Sequence, residues 1–218
     1  MRSDGRTNTD PLPYAEVLGT VPEAYGSATA TFGEQHTQVI CAIKAEIQKP
    51  LASTPLSGQV TFHLESSQTG STLFKHEADA ESLRQKMIQI LQTLLGNTII
   101  NRDELTVFKG EFAWNLNVDL LVLDELCLSQ VDAIARAVRA AFSNLALPQV
   151  IATLNANTNK IEVGLVEEVY TDRANTDALV KLKSACDAPY IVSVAIVRDA
   201  QADMVVLDCD SVEIQCVD

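Results

Sequence analysis

The sequence predicts an α+β fold, in which helices pack on one face of a mixed β-sheet. Strand pairs come before each of two long helical segments, and the strands alternate apolar with polar residues. The composition, 47% hydrophobic and 21% charged, is that of a globular protein with a buried core. Because no linker rich in Pro, Gly, Ser or charge interrupts the chain, residues 1–218 are interpreted as one domain.

The first third of the chain contains three predicted strands. After an irregular start, residues 26–47 alternate apolar with polar residues on either side of a tight turn at 33–36, which is typical of a strand pair. A loop rich in Pro, Ser and Thr at 50–58 then leads to a third strand at 59–66.

A helix and a second strand pair follow. Apolar residues at helical spacing predict a helix over 79–95, with Gly96 in the position of a C-terminal cap. A hairpin is predicted at 105–108 and 112–123, and its second strand is apolar enough to lie in the middle of a sheet.

The second helix begins with a capping-box-like pair, Ser129 and Asp132, and continues through small apolar residues to Phe142, before Pro148. Its Ala-rich face permits close packing on a sheet. The remaining predicted elements are strands at 161–169, 190–197, 204–207 and 212–217 and a short helix at 176–186.

The net charge of −13 bears directly on function. Affinity for nucleic acid comes largely from Lys and Arg side chains that neutralise phosphates. We therefore expect the isolated chain to bind RNA poorly. Any role in RNA metabolism would depend on a local basic patch or on partners that supply positive charge.

The five cysteines are scattered, odd in number and never spaced as CxxC, so they indicate neither a disulfide framework nor a zinc site. Reduced, mostly buried thiols are expected. No stretch approaches the roughly 18 consecutive apolar residues of a membrane-spanning helix, and the first residues do not have the pattern of a signal peptide. A protein that is soluble and not secreted, with no membrane partner, is expected.

Several short motifs, taken in order, resemble the RNase PH family. They are Arg2-Ser3-Asp4-Gly5-Arg6, Gly26-Ser27-Ala28, the run from Thr37 to Pro50 that contains Lys44-Ala45-Glu46-Ile47, Trp114 with Val118-Asp119-Leu120, Asp132-Ala133 and Leu147-Pro148. Residues 204–213, with Asp208 and Glu213, are a weaker match to a late strand and turn of the family. The matches extend over nearly the whole chain.

The resemblance implies an RNase PH-like fold, also described as ribosomal protein S5 domain 2-like. The sequence from Lys44 to Pro50 is similar to the corresponding sequence in those ring subunits of the eukaryotic RNA exosome that are not themselves phosphorolytic. Such subunits imply a hetero-oligomer that takes part in RNA processing, including rRNA processing, and in RNA degradation, in the nucleus, the nucleolus and the cytoplasm. Family members continue with a strand pair and a long helix, so we expect the C-terminal helix of the family to be missing after Asp218.

The partners implied by the resemblance are other RNase PH-like subunits in a six-membered ring, S1/KH-type cap subunits and an associated ribonuclease. RNA would be reached through the channel of the assembled ring.

In the family, phosphorolysis is associated with two motifs that contain arginine. Inorganic phosphate must be held beside an anionic RNA backbone, which requires guanidinium groups or a nest of backbone N–H groups. Active members resemble one another in a G-R-S-x-R stretch after the first long helix and a D-G-G-T-R turn before the next. This sequence has Gly-Asn-Thr-Ile-Ile at 96–100 and Asp-Glu-Leu-Cys-Leu-Ser at 124–129. The arginines are absent, and Glu125 would repel phosphate.

We therefore predict no catalytic residue and no cofactor, and a non-catalytic structural role in the exosome ring. The alternative is an active phosphorolytic 3′-to-5′ exoribonuclease, in which Asp208 and Asp210 would stand for the acidic pair of the family. A third hypothesis is an unrelated acidic binding module.

A metal site is not predicted. Asp119, Asp124 and Asp132 could form a carboxylate cluster, but no ligand spacing supports it. Asp132 is better explained as a residue at a helix start, where a negative charge interacts favourably with the helix dipole.

Two further sets of residues have simple structural explanations. His36, His63 and His76 lie apart along the chain with no nucleophile beside them. Glu167 and Glu168 are adjacent in a predicted strand, so their side chains would point to opposite faces and suit a solvated strand end.

Arg2, Arg6 and Lys44 are the basic residues at motif positions. Arg2 and Arg6 are the candidates for direct RNA contact, although a structural ion pair explains Arg6 equally well. Trp114 lies in an apolar strand and is interpreted as a core residue and not as a base-stacking platform.

Overall fold

A computed structural model describes residues 5–11, 13–33, 37–50, 57–67, 77–123, 126, 130–155, 160–165, 179–198 and 203–207. The elements are β1 (Tyr14–Leu18), β2 (Gly26–Phe32), β3 (Thr37–Gln48), β4 (Gln59–Ser66), α1 (Glu77–Leu94), a 3₁₀ turn (Arg102–Leu105), β5 (Thr106–Phe108), β6 (Phe112–Val122), α2 (Val131–Ser143), β7 (Ala146–Pro148), β8 (Val150–Asn155), β9 (Lys160–Leu165), β10 (Leu179–Lys181), a second 3₁₀ turn (Ser184–Asp187), β11 (Val194–Arg198) and β12 (Asp203–Leu207).

The main sheet has the strand order β1-β2-β3-β6-β4, and β5 pairs with the remaining part of β6. Neighbours from β1 to β6 are antiparallel, whereas β4 is parallel to β6, so the sheet is mixed. The longest ladder joins β3 to β6, from Val39 opposite Val122 to Gln48 opposite Ala113. In the described residues after α2, three separate two-stranded ladders occur: β7 with β10, β8 with β9, and β11 with β12.

Both helices pack on one face of this sheet, α2 across β2 and β3 and α1 against β4. The alternation of apolar residues decides which face is covered, because every second side chain of a strand lies on the same side. Ile43 and Leu116 are fully buried beneath the helices. Each such side chain contributes about 1.5–3 kcal/mol when it leaves water. The opposite face of the sheet is polar and open, and carries Lys44 and Asp119.

Small residues allow α2 to lie very close to β2. Ala137 and Ala141 are completely buried on the helix. A Cβ atom at Gly26 would lie 2.6 Å from the carbonyl oxygen of Ala141, so only glycine fits at this contact. The prediction of an Ala-rich helix packed closely on a sheet is confirmed.

The predicted elements of the first two thirds are confirmed as elements. The strand pair at 26–47, the strand at 59–66, both helices and the hairpin before α2 all occur, with ends shifted by a few residues. Among the described residues, four strands were missed: β1 in the segment predicted to be irregular, β7 and β8 after α2, and β10 in a segment predicted to be helical.

The short helix predicted at 176–186 is wrong. Leu179–Lys181 form a strand that pairs with β7, and Ser184–Asp187 form only a 3₁₀ turn. Burial of Leu182 and Ala185 in the core explains the result, since tertiary packing overrides a weak local helical preference.

Several predicted elements fall partly or wholly outside the described residues. They are the turn at 34–36, the loop at 51–56, the strand at 212–217 and the end of the strand at 161–169.

Candidate functional site

The turn that follows α1 occupies the place of the first arginine motif of the family. Most of its backbone N–H groups donate to carbonyls of α1 or of the turn itself, and the hydroxyl of Thr98 donates to the carbonyl of Leu94. A nest that binds an anion needs several free N–H groups pointing at one point. Four N–H groups of the turn are unavailable to an anion because they already donate hydrogen bonds: Leu95 N to Leu91 O (2.8 Å), Gly96 N to Gln92 O (3.2 Å), Thr98 N to Leu95 O (3.0 Å) and Ile99 N to Leu95 O (2.9 Å).

The side chains of this turn are also unsuited to an anion. Ile99 and Ile100 are 0% and 1% exposed and belong to the hydrophobic core, whereas Asn97 is exposed. Leu126, in the place of the second motif, is also buried. An apolar side chain in these positions offers no charge to a phosphate and fills space next to the core.

One guanidinium does reach the turn. Arg102 donates from Nη2 to the carbonyl oxygen of Gly96 at 3.0 Å, where it satisfies a carbonyl at the C-terminal end of α1. Its Nε is buried and has no hydrogen-bond partner within the described part of the chain, so that atom does not face solvent. Gly96 is not in the left-handed conformation of a typical cap. It is required for close approach, because a Cβ there would lie 2.5 Å from the carbonyl oxygen of Gln92.

Asp132 binds a distant segment, and its predicted capping partner is Ser129. The helix begins at Val131, and its N-cap, Gln130, makes no side-chain cap. The carboxylate of Asp132 is 5% exposed; Oδ2 accepts from the backbone N of Ser193 at 2.6 Å and Oδ1 from its hydroxyl at 2.5 Å. Ser129 lies outside the described residues. Asp132 does lie in the first turn of α2, where the helix dipole favours a negative charge.

Arg139, two turns further along α2, holds the same segment. Its Nε donates to the carbonyl oxygen of Ala188 at 2.9 Å, and its guanidinium lies 3.9 Å from the ring centroid of Tyr190. Arg136 lies over Tyr14 of β1 in the same way, at 5.1 Å. The α2 helix therefore joins β1 on one side to residues 188–193 on the other through charged side chains.

A third anchor lies at Ser184. Its hydroxyl oxygen accepts from the backbone N of Asn101 at 2.9 Å, and its backbone N donates to the Glu104 carboxylate at 3.4 Å. Sequence reasoning missed this anchor and those at Ser193, Arg139 and Tyr190. The partners are dozens of residues apart, and no local pattern marks them.

The open face of the sheet carries an ion pair between Lys44 and Asp119, with Nζ and Oδ2 2.8 Å apart. The hydrogen bond to Asp119 and the charge of that carboxylate raise the pKa of Lys44 above its ordinary value. Because the ion pair lies on the open face, Asp119 is on the opposite side of the sheet from α2 and Asp132. The carboxylates of Asp119 and Asp132 therefore cannot share a metal. Asp124 lies outside the described residues. Within the described ranges, no three His, Cys, Asp or Glu side chains come together as metal ligands.

The remaining predicted residues are distributed as follows. His63 is exposed on β4, opposite Asp119 of β6 in the register. Trp114 is 7% exposed and packs against Tyr25 with ring centroids 6.5 Å apart, so its interpretation as a core residue is confirmed. Outside the described residues lie Arg2, His36, His76, Glu125, Glu167, Glu168, Asp208, Asp210 and Glu213.

Arg6 contributes to a turn at the start of the chain. Its Nη1 donates to the carbonyl oxygen of Asp10 at 3.0 Å, and the Asp10 carboxylate accepts from the backbone N of Thr7 at 2.8 Å. The turn is joined to β12 by a bond from Leu207 N to Asn8 O at 2.9 Å. Arg6 thus has a hydrogen-bond partner in this turn, the backbone carbonyl of Asp10, and its contact with RNA stays a prediction.

Cys41 is a free thiol that is completely buried in β3. Burial, and to a lesser extent the negative charge of Asp119, raises the pKa of this thiol far above its usual range. A thiol that resists ionisation is a poor nucleophile, which confirms the expectation of a reduced, buried cysteine at this position. In the described part of the chain, neither helix has the length and apolar character needed to cross a bilayer.

The architecture defines an α+β protein whose mixed sheet is covered by two helices on one face, as the sequence predicted. Residues 15–148 match the family model described as RNase PH, 3′ exoribonuclease family, domain 1. The chain belongs to this family.

Curated relatives are subunits of exosome complexes. The chain is 31% identical over 127 residues to exosome complex component rrp43 of Schizosaccharomyces pombe, covering 57% of this chain and 45% of the relative. It is 28% identical over 150 residues to Rrp42 of Sulfurisphaera tokodaii, covering 69% and 54%. It is 30% identical over 149 residues to RRP45 of Danio rerio, covering 68% and 36%. The aligned part is thus about half of each relative or less.

Solved structures support the same fold. An archaeal exosome core chain aligns with a TM-score of 0.56 at 20% identity, over 94% of this chain and 67% of that chain. An Archaeoglobus fulgidus exosome chain, solved with RNA bound to the active site, aligns with a TM-score of 0.55 at 21% identity, over 94% and 70%. The RNase PH-like fold predicted from the sequence is confirmed.

Proposed function

We propose that this chain is a non-catalytic structural subunit of an RNA exosome ring, which supports 3′-to-5′ RNA processing and degradation by helping to assemble the RNA channel. Similarity to exosome components supports a role in the exosome core. The proposal goes further, to a six-membered ring of RNase PH-like subunits with S1/KH-type caps and an associated ribonuclease, in the nucleus, nucleolus and cytoplasm.

The observation that carries the non-catalytic part is the turn after α1. Where the family motif has its two arginines, this chain has an exposed Asn97 and a buried Ile100. Most backbone N–H groups of the turn donate to carbonyls of α1 and of the turn itself. Phosphate and the RNA backbone are both anionic, so a pocket that brings them together needs several cationic or N–H groups. Arg102, the guanidinium that reaches the turn, is engaged with Gly96.

The net charge of −13 supports a role that depends on partners. An acidic chain repels RNA, so contacts with phosphates in the channel would come from basic neighbouring subunits. The acidic surface would also favour association with those neighbours.

The experiment is an assay of the purified chain with 3′-labelled RNA and inorganic phosphate. The expected result is that the isolated chain releases no nucleoside diphosphates. The assembled ring should release the same amount whether it contains the wild-type chain or the Asp208→Ala variant. Release that disappears in both Asp208→Ala and Asp210→Ala would establish the alternative, an active phosphorolytic exoribonuclease. A purified catalytically active family member serves as the positive control for the assay.

A further inference from the structure

The first strand of the main sheet forms an open edge. Within the described residues β2 is the one strand paired with β1, and all five residues of β1 are exposed. Tyr14, Val17 and Leu18 keep 48%, 62% and 47% of their surface accessible. An exposed apolar edge is a template for pairing with another chain.

The hydrogen bonds at the two ends of β1 show which backbone groups are available. Gly33 N donates to Pro13 O at 3.0 Å, and Gly19 N donates to Ser27 O at 2.8 Å. Bonded and non-bonded pairs alternate along an antiparallel ladder, so residues 15, 17 and 19 direct their N–H and C=O groups towards β2, and Pro13 directs its C=O there. Tyr14, Glu16 and Leu18 therefore direct theirs outward, and in the described ranges no other strand lies beyond them.

The strand at the other end of the sheet, β4, keeps its apolar side chains covered. Val60, Phe62 and Leu64 are 2% exposed, because α1 packs against β4. The exposed apolar side chains of β1 have no such cover. The register of β1 with β2 is continuous from Tyr14 opposite Phe32 to Leu18 opposite Ala28, without a bulge that would turn the edge away from a further strand.

We propose that β1 binds a β-strand of a different, basic RNase PH-like subunit, so that the main sheet continues across the boundary between subunits. This inference rests on the proposed function. The partner strand carries Lys or Arg opposite Glu16 and apolar residues opposite Tyr14 and Leu18, because directly opposed side chains interact most strongly.

Charge decides between this partner and a second copy of the chain. Antiparallel pairing of two β1 strands with full overlap places Glu16 opposite the same residue of the other copy, which is destabilising. It would also join two chains that each carry a net charge of −13. A basic subunit reverses both effects.

The test compares Glu16→Pro with Glu16→Ala in the tagged full chain, expressed in its native cells. Both variants lose the carboxylate, but Glu16→Pro also loses the outward N–H and places a proline ring at the edge. We expect recovery of RNase PH-like subunits, identified by mass spectrometry, to fall about tenfold for Glu16→Pro relative to Glu16→Ala. Equal recovery would overturn the inference.

Two further measurements separate the edge from a folding defect and from the function itself. Leu18→Lys leaves the backbone intact, places a charge beside the edge, and should lower recovery in the same way. Thermal unfolding of the free variants should agree with that of Glu16→Ala. If the wild-type chain recovers no RNase PH-like subunit, the proposed function fails; if it forms homodimers that Glu16→Pro disrupts, the second copy is the partner.

Discussion

The main sheet with its two helices is held by apolar burial, whereas residues 179–198 are held by a smaller apolar contribution together with polar contacts. Ile43 and Leu116 of the sheet and Ile134 of α2 have no exposed surface. On the hairpin of β11 and β12, Ile196 and Val205 are 59% and 52% exposed. The hairpin follows a segment fixed to the rest of the chain by the buried Leu182 and Ala185 and by polar contacts, among them the bonds between Asp132 and Ser193.

This difference has a physical consequence for how each region responds to change. Burial of apolar surface is non-directional and is shared among many side chains, so it gives a cooperative unit. A polar anchor depends on the geometry of two or three atoms, and the loss of one partner leaves the other unsatisfied. Core changes should therefore affect the whole fold, and anchor changes should act mainly on the later segment.

The largest effect is expected in the sheet. Ile43→Ala leaves a cavity beneath α2 and should lower the free energy of unfolding by about 2–5 kcal/mol. Ile151→Ala is the matched control, because Ile151 is 52% exposed on β8, and should change it by less than about 0.5 kcal/mol. Urea unfolding followed by circular dichroism measures both. Equal effects would contradict the assignment of the core.

The next effect is expected at the anchor of Ser193. Asp132→Ala removes the acceptor of two hydrogen bonds and should cost about 1–3 kcal/mol, mostly through opening of residues 188–198. Asp132→Asn keeps one acceptor oxygen and should cost less. Hydrogen exchange of peptides from 188–198 measures the opening. Unchanged exchange in Asp132→Ala would show that the anchor does not hold this segment.

A smaller effect is expected for the two arginines of α2. Arg139→Lys keeps the charge but loses the planar face over Tyr190, at a cost of about 0.5–1 kcal/mol, and should speed hydrogen exchange in 188–198. Arg136→Lys is the matched control, because it should instead loosen β1 at Tyr14. If Arg139→Lys and Arg136→Lys each speeded exchange equally in 188–198 and in β1, the two arginines would not make two separate contacts.

The smallest effect is the pH dependence of the Lys44–Asp119 pair on the open face. The pKa of Lys44 is raised in the folded chain, so the folded state favours the protonated amine. The stabilisation is fully present below the ordinary lysine pKa of about 10.4 and is lost as the pH rises through the higher folded value. The difference in unfolding midpoint between wild type and Lys44→Gln should thus be constant from pH 7 to 9 and shrink above that. A difference that grows above pH 10 would contradict the pairing.

The sequence alone predicted the parts of the fold that repeat with a local period. β3, β4 and β6 and both helices followed from alternation or helical spacing, which depends on neighbours a few residues apart. β1 was missed because Tyr14–Leu18 is an edge strand with all residues exposed and lacks the buried alternation of an inner strand. The arginine-poor turn at 96–100 could also be read directly, since it is defined by which residues are present.

Only the tertiary structure decided the anchors and the later segment. Ser193 meets Asp132 across 61 residues, and Leu179–Lys181 become a strand because β7 offers a partner. Local periodicity does not encode such contacts, because their free energy depends on the position of a distant atom and not on the neighbouring sequence. Residue types alone therefore determined the inner strands of the sheet, both helices and the lack of arginine at 96–100, while the packed chain determined what holds residues 188–193 and which strand lies at the edge of the described sheet.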